Sequence, residues 1–323
     1  MLKRATASCL ILFCLSRVVH SANEQSEDVG KAAEIRAVQF LKDEVPAWSK
    51  NNACYSCHNN GDAARALYKA SQKGHRISTD VLAETTAWLA EPQLWDKNKG
   101  DPGFSDQRLA NLQFAGALLT ALDTGHLIDK KPLQAAARKV AADQSPSGAW
   151  LIDSGTAVGS PATYGSTLAT MLACRVLKAG GLNTHKRAMR SAEQWLNRLP
   201  INSVSTAASL LLGTTGNSSP VAKSRRDECL TAISRAQTKD GGWGPYADSP
   251  PEVFDTALVL LALAAEKQAP VNDRIRRGRN FLAAQQDPDG GWPATTRPPG
   301  GESYAQRLST TGWATLALLA TRE

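Results

Sequence analysis

RGRNFLAAQQDPDGGW, residues 277–292, is the stretch on which the fold turns. The residues leading into it, from Asn272, are charged on one face and apolar on the other. The residues after the loop, STTGWATLALLATRE (309–323), are apolar nearly all round. A helix with one apolar face packs at a surface, whereas a helix apolar all round is enclosed. The stretch therefore spells an outer helix, a Gly-rich loop and an inner helix. Asp-Gly-Gly supplies the positive φ angles that turn the chain between antiparallel helices. Trp292 is a large apolar plug for the junction.

The pattern recurs upstream. QTKDGGW (237–243) sits between the charged AKSRRDECLTAISRA and the apolar EVFDTALVLLALAAEK, and its Trp243 stands 49 residues before Trp292. QSPSGAW (144–150) is a weaker copy. Spacings of this size indicate an array of helical units. The stretch from Arg277 to Trp292 resembles the QW motif of squalene-hopene cyclases, within the protein prenyltransferase and terpenoid cyclase superfamily. In register with Phe281 stand Phe40, Trp88, Lys139, Trp195 and Ala232, which makes six units. The resemblance implies an all-α chain, an α/α toroid of six helical hairpins (terpenoid cyclase/prenyltransferase-like barrel) with inner helices ringed by outer ones.

The same resemblance locates the family's chemistry. Class II terpenoid cyclases protonate an alkene with the central Asp of a D-x-D-D-T-A motif at the start of an inner helix. Here the matching residues are Glu252, Val253, Phe254, Asp255, Thr256 and Ala257. Phe254 takes the donor's place, and a phenyl ring has no proton to give, so standard class II activity is not expected. Asp255 is explained as an acidic residue at a helix N-terminus. Asp227 and Cys229 have the spacing of part of the prenyltransferase zinc set, but they fall on an outer helix. Ala- and Leu-rich inner helices are expected to line an apolar bore for an apolar or isoprenoid-like small molecule, unless side chains fill it. Tyr164, Glu252, Asp255 and Tyr304 are the expected rim.

ACYSCHNNGD (53–62) occupies, in the first unit, the loop that carries DGGW in the last two. Cys-x-x-Cys-His is the spacing for thioether attachment of haem c. Cys54 and Cys57 are then attachment points, His58 is the proximal iron ligand, and one covalent haem c is expected. A redox role follows: electron transfer with a partner protein, or haem chemistry at the toroid mouth. His75, His126 and His185 fall at the opposite end, which leaves the iron five-coordinate or reaching Met171. A disulfide or redox dithiol and a zinc clip are the other readings of the motif. Cys174 and Cys229, each within an apolar stretch, read as small core residues. The other functional classes are a terpenoid-processing enzyme and a non-catalytic apolar-ligand-binding or scaffold module.

The first 22 residues read as a signal peptide: Lys3 and Arg4, an apolar Cys9–Leu15 core too short to span a bilayer, then Ser21 and Ala22. Residues 23–323 form a single toroid domain, periplasmic or secreted. Removing Lys3, Arg4 and Arg17 takes the formal charge from +7 to +4. A surplus that small gives no nucleic-acid surface. No transmembrane segment is expected after cleavage.

Overall fold

The computed structural model describes residues 7–98, 107–152, 164–181, 183–214, 219–266, 269–296, 300 and 302–322. Among them, twelve α-helices alternate between two rings. The outer ring is α1 (Ala7–Asn52), α3 (Thr79–Leu89), α5 (Lys131–Ala142), α7 (Lys186–Arg198), α9 (Pro220–Ala236) and α11 (Ala269–Ala284). The inner ring is α2 (Ala64–Gln72), α4 (Gln107–Asp123), α6 (Gly165–Gly181), α8 (Val204–Thr214), α10 (Val253–Leu263) and α12 (Tyr304–Ala320). Each inner helix packs on the next, and α12 returns to α2, so the ring closes. The α/α toroid read from the repeat is the fold, and the anchors Phe40, Trp88, Lys139, Trp195, Ala232 and Phe281 fall on the six outer helices in turn.

Burial follows the two patterns of hydrophobicity. Most residues of α4, α10 and α12 are buried, whereas α7 buries little beyond Ala192. Trp150, Trp243, Trp292 and Trp313 are among the largest fully buried side chains. No helix among the described residues is long and apolar enough to cross a membrane. Of the segment read as a signal peptide, residues 1–6 lie outside the described residues, and the backbone of the remainder belongs to α1.

The Gly-rich loops share one construction. Gln144, Gln237 and Gln286 each donate from Nε2 to two carbonyls. One is that of the residue four further on, Gly148, Gly241 or Gly290, at 2.8, 2.8 and 2.9 Å. The other lies on the next outer helix: Ala188, Arg274 and Ala33, at 2.9, 3.0 and 2.8 Å. Trp150, Trp243 and Trp292 donate from Nε1 to the carbonyl ten residues back at 2.6, 2.8 and 2.7 Å. Their backbone N–H groups donate to Thr170, Thr256 and Thr311 on the following inner helices. One glutamine thus joins a loop to the next hairpin, and one tryptophan joins outer helix to inner. Gln286 reaches back to α1, so the sixth loop shuts the ring.

The glycines are dictated by the same contact. Gly148, Gly241 and Gly290 have φ of 95°, 91° and 96°. A Cβ on them would lie 2.4, 2.6 and 2.6 Å from the carbonyl oxygens of Ser191, Arg277 and Arg36. Gly300 has a similar φ of 92° with nothing within 4 Å of its Cβ position. Gly290→Ala is therefore expected to cost about 3 kcal/mol, and Gly300→Ala only about 1 kcal/mol of backbone strain. Urea denaturation of both variants beside the wild type checks this, and equal costs would show that the carbonyl contact is not what constrains the loop.

Candidate functional site

The first hairpin closes its loop differently. Helix α1 ends as Ala53 takes a left-handed φ of 52°. Ser56 then caps a π-helical turn, Cys57–Ala63, its hydroxyl accepting from His58 N at 3.2 Å. Asn59 Nδ2 donates to Val45 O on α1 at 3.1 Å. Asn60 Oδ1 accepts from Ser56 N at 2.9 Å while its Nδ2 donates to Thr85 Oγ1 on α3 at 2.9 Å. Two asparagines therefore do what one glutamine does elsewhere, joining the loop to its own and to the next outer helix. π-turns recur at functional positions, and this one delivers Asp62 to the centre of the mouth, the end of the toroid where the inner helices begin.

Asp62 is fully buried. Oδ1 accepts from the Tyr164 hydroxyl at 2.6 Å, and Oδ2 accepts from Gln113 Nε2 and Ser309 Oγ, both at 2.7 Å. Arg65 Nη1 stands 3.7 Å from Oδ1. Three donors converging on two oxygens beside a guanidinium suit a carboxylate, whose desolvation would otherwise be costly. The Tyr164 hydroxyl in turn accepts from Trp313 Nε1 at 3.1 Å. Burial first, and then the neighbouring Asp62, raises the Tyr164 pKa well above 10.0, so its proton stays in place as a donor.

Three rings pack together beside this group, joined to it through the Tyr164 hydroxyl. Tyr164, Phe254 and Trp313 form a triangle with centroid separations of 5.8, 5.4 and 5.4 Å. The Arg65 guanidinium lies 4.8 Å from the Trp313 ring centroid, so the rings already face a cation. The residues come from the π-turn, α2, α4, the start of α6, α10 and α12. Among the described residues, the mouth of the toroid is lined by polar as well as apolar side chains. Beside Asp62 a cavity leaves about 10 Å³ for a water-sized occupant, room for roughly one water. It is lined by His58, Leu109, Gln113, Tyr164, Phe254, Thr295, Gln306, Ser309 and Thr310.

Of the expected rim, Tyr164 lies inside the cluster. Glu252 caps α10, its N–H donating to Trp243 O at 2.9 Å. Asp255 is fully buried one residue beyond Phe254. Tyr304 is half exposed and hydrogen-bonded to Glu44. None of these last three lines the cavity. Cys54 and Cys57 are buried, with Cys57 Sγ 3.4 Å from His58 Nδ1. At the far end His75 pairs with Glu34 at 2.7 Å, His126 stands edge-on to Tyr68, and His185 begins α7. Met171 is buried against Gly213 of α8.

Comparison with known proteins bears on this geometry. Residues 199–323 match the family profile of the squalene-hopene cyclase C-terminal domain. Drimenyl diphosphate synthase of Streptomyces showdoensis is 28% identical over 110 residues, which are 33% of this chain and 21% of that enzyme. The chain thus spans about a fifth of the length of this curated relative. A type II terpene cyclase from Scytonema, solved in complex with its substrate geranylgeranyl dihydroxybenzoate, superposes with a TM-score of 0.63 at 12% identity, over 93% of this chain and 99% of that one. The same cyclase without ligand gives 0.57 at 13% identity over 90% and 98%. At these identities the likeness is one of fold: this chain has the toroid of the type II terpene cyclases.

These findings correct the redox reading of Cys54, Cys57 and His58. Fold and family profile point to the terpenoid cyclases, and nothing in either supports haem c, iron or electron transfer. Locally, both thiols are packed into protein, and the space beside His58 is that of a water, far too small for a porphyrin. Among the described residues no group of three His, Cys, Asp or Glu side chains could hold a metal ion. The motif is instead part of the first hairpin's closing loop.

Sequence reading passed over Asp62, Arg65, Gln113, Ser309 and Trp313. A usable signal existed for Asp62, which begins its inner helix directly after the loop as Asp255 does in the fifth hairpin. Tyr164→Phe should cost about 2 kcal/mol in denaturation, since it strips a donor from a buried carboxylate and leaves Trp313 Nε1 without its acceptor. Burial pushes His58 below its ordinary 6.5, and Asp62 opposes this only in part. Between the folded value and 6.5 the unfolded chain binds more protons, so His58's contribution is intact above 6.5 and is lost as pH falls through that window. The wild type should lose stability relative to His58→Gln as pH drops from 7 toward 5; parallel curves would show that His58 titrates freely.

Proposed function

We propose that this chain is a terpenoid cyclase-like enzyme that takes an isoprenoid-like, largely apolar small molecule at the mouth of its toroid. Asp62 and the rings of Tyr164, Phe254 and Trp313 then stabilise positive charge developing on that molecule. The observation that carries this reading is a fully buried carboxylate held by three donors, one of them the hydroxyl of Tyr164, whose ring packs with Phe254 and Trp313 in an aromatic triangle beside it. Fixed charge and ring faces in a dry site act strongly on a cation and need no reorganisation as it forms. The matched profile and the substrate named for the Scytonema enzyme support the ligand class.

Each residue has a defined part. Tyr164, Gln113 and Ser309 hold the carboxylate in one orientation. Arg65 balances its charge in the free protein and holds a place over Trp313 that a cationic species would compete for. Phe254 presents a ring where the resembling family has its acid, so charge at the mouth comes from the first hairpin. Asp62→Asn keeps the shape and removes the charge. Incubated with isoprenoid hydrocarbons, alcohols and diphosphates, the wild type should yield isomerised or cyclised products by mass spectrometry, and Asp62→Asn about a hundredfold less. A wild type that neither binds nor converts any of them sinks the proposal.

We also propose that residues 1–22 are a leader, which places the toroid in the periplasm or outside the cell. N-terminal sequencing of the exported chain should begin near Asn23; an intact Met1 on exported protein would rule the leader out.

A further inference from the structure

Gln113 stands between Asp62 and the cavity at the mouth. Its Nε2 is committed to Asp62 Oδ2 at 2.7 Å, and turning the amide round would set oxygen against the carboxylate. Oε1 is therefore an acceptor, and this buried atom receives no hydrogen bond. Gln113 is 1% exposed and lines the cavity. A buried acceptor left without a donor is costly, so the position calls for a donor from outside the protein.

Most of the other polar groups around the cavity already make hydrogen bonds within the protein. Ser309 donates to Asp62, Thr310 Oγ1 accepts from Thr295 N at 3.1 Å, and Thr295 Oγ1 accepts from Phe254 N at 3.3 Å. Gln306 completes the capping box of α12 with Ser303. His58 has Nδ1 against Cys57 Sγ, which leaves Nε2 as its nitrogen for a ligand. Room for about one oxygen beside Gln113 suits a hydroxyl in that place. Among the described residues, none that lines the cavity is Lys or Arg, the donors that diphosphates require, and Asp62 directly behind Gln113 repels an anion.

We infer that the mouth selects an isoprenoid bearing a neutral hydroxyl, an alcohol or a phenol, over the corresponding diphosphate, with Gln113 Oε1 accepting the hydroxyl hydrogen. This rests on the isoprenoid reading above. In the free protein a water suits the same place, and the ligand's hydroxyl replaces it. Leu109 and Phe254 are apolar members of the lining, and the hydrocarbon chain lies outward of this one-oxygen site.

Calorimetric titration of the wild type with farnesol, farnesene and farnesyl diphosphate tests the inference. Farnesol should bind about tenfold more tightly than either of the others. Gln113→Met, similar in size, loses both the acceptor and the donor to Asp62, and in that variant farnesol should bind no more tightly than farnesene does to the same variant. A preference for the diphosphate, equal binding of farnesol and farnesene, or farnesol binding unaltered in Gln113→Met would overturn the inference and leave the isoprenoid reading standing. No binding by any of the three overturns both. If Gln113→Met does not fold, the wild-type series decides alone.

Discussion

A side-chain amide bridging two carbonyls holds this toroid together. In a ring of hairpins every unit must grip the next, and the grip must survive at the seam where chain ends meet. Gln286 makes that contact with Ala33, using the geometry by which Gln144 and Gln237 hold Ala188 and Arg274. Because the amide also binds its own loop carbonyl, the loop conformation and the inter-hairpin distance are fixed together. The glycine beneath it follows, since the neighbouring helix's carbonyl occupies the Cβ position. The tryptophan follows as well, since its side chain donates to the outer helix and its backbone N–H to the inner helix of the same hairpin.

The first hairpin shows what happens when that grip is built from other parts. Asn59 and Asn60 share the bridging role, and the chain between them and α2 is wound as a π-turn. The wider turn carries Asp62 into contact with α4, α6 and α12, each of which contributes a hydrogen-bond donor. The buried charge is thus tolerated because closure of the ring brings three helices within reach of one carboxylate. Local loop chemistry and central electrostatics are two consequences of one substitution.

That linkage explains what could be read from the sequence and what could not. The QW loops announce themselves because glycine, glutamine and tryptophan sit at fixed offsets, and helical periodicity then marks inner from outer. Even the degenerate anchors Lys139 and Ala232 were found by register alone. The site was harder. Tyr164 was legible as a residue opening an inner helix, and Phe254 from its place in a family motif. Gln113 and Ser309 look like ordinary polar residues in apolar helices, and only closure of the ring reveals that they meet at Asp62. The Cys-x-x-Cys-His spacing misled because it is a local pattern, whereas the surroundings that would admit a porphyrin are set by packing from other hairpins. Asn59 and Asn60, directly following, carried the structural meaning.

The arrangement also separates where charge is placed from where a motif expects it. In the resembling family the acid opens an inner helix, and the matching position here is Phe254. All inner helices begin at the same mouth, so a carboxylate contributed by one hairpin can serve the space that another would have served. Tyr164 makes this concrete: its ring packs on Phe254 while its hydroxyl binds Asp62. The phenyl ring and the carboxylate thus occupy two sides of one small volume. The first hairpin places a buried carboxylate at the mouth, and the Tyr164 ring stands between it and Phe254 of the fifth. In a closed toroid, then, the question to ask of a missing catalytic residue is which other inner helix reaches the same mouth.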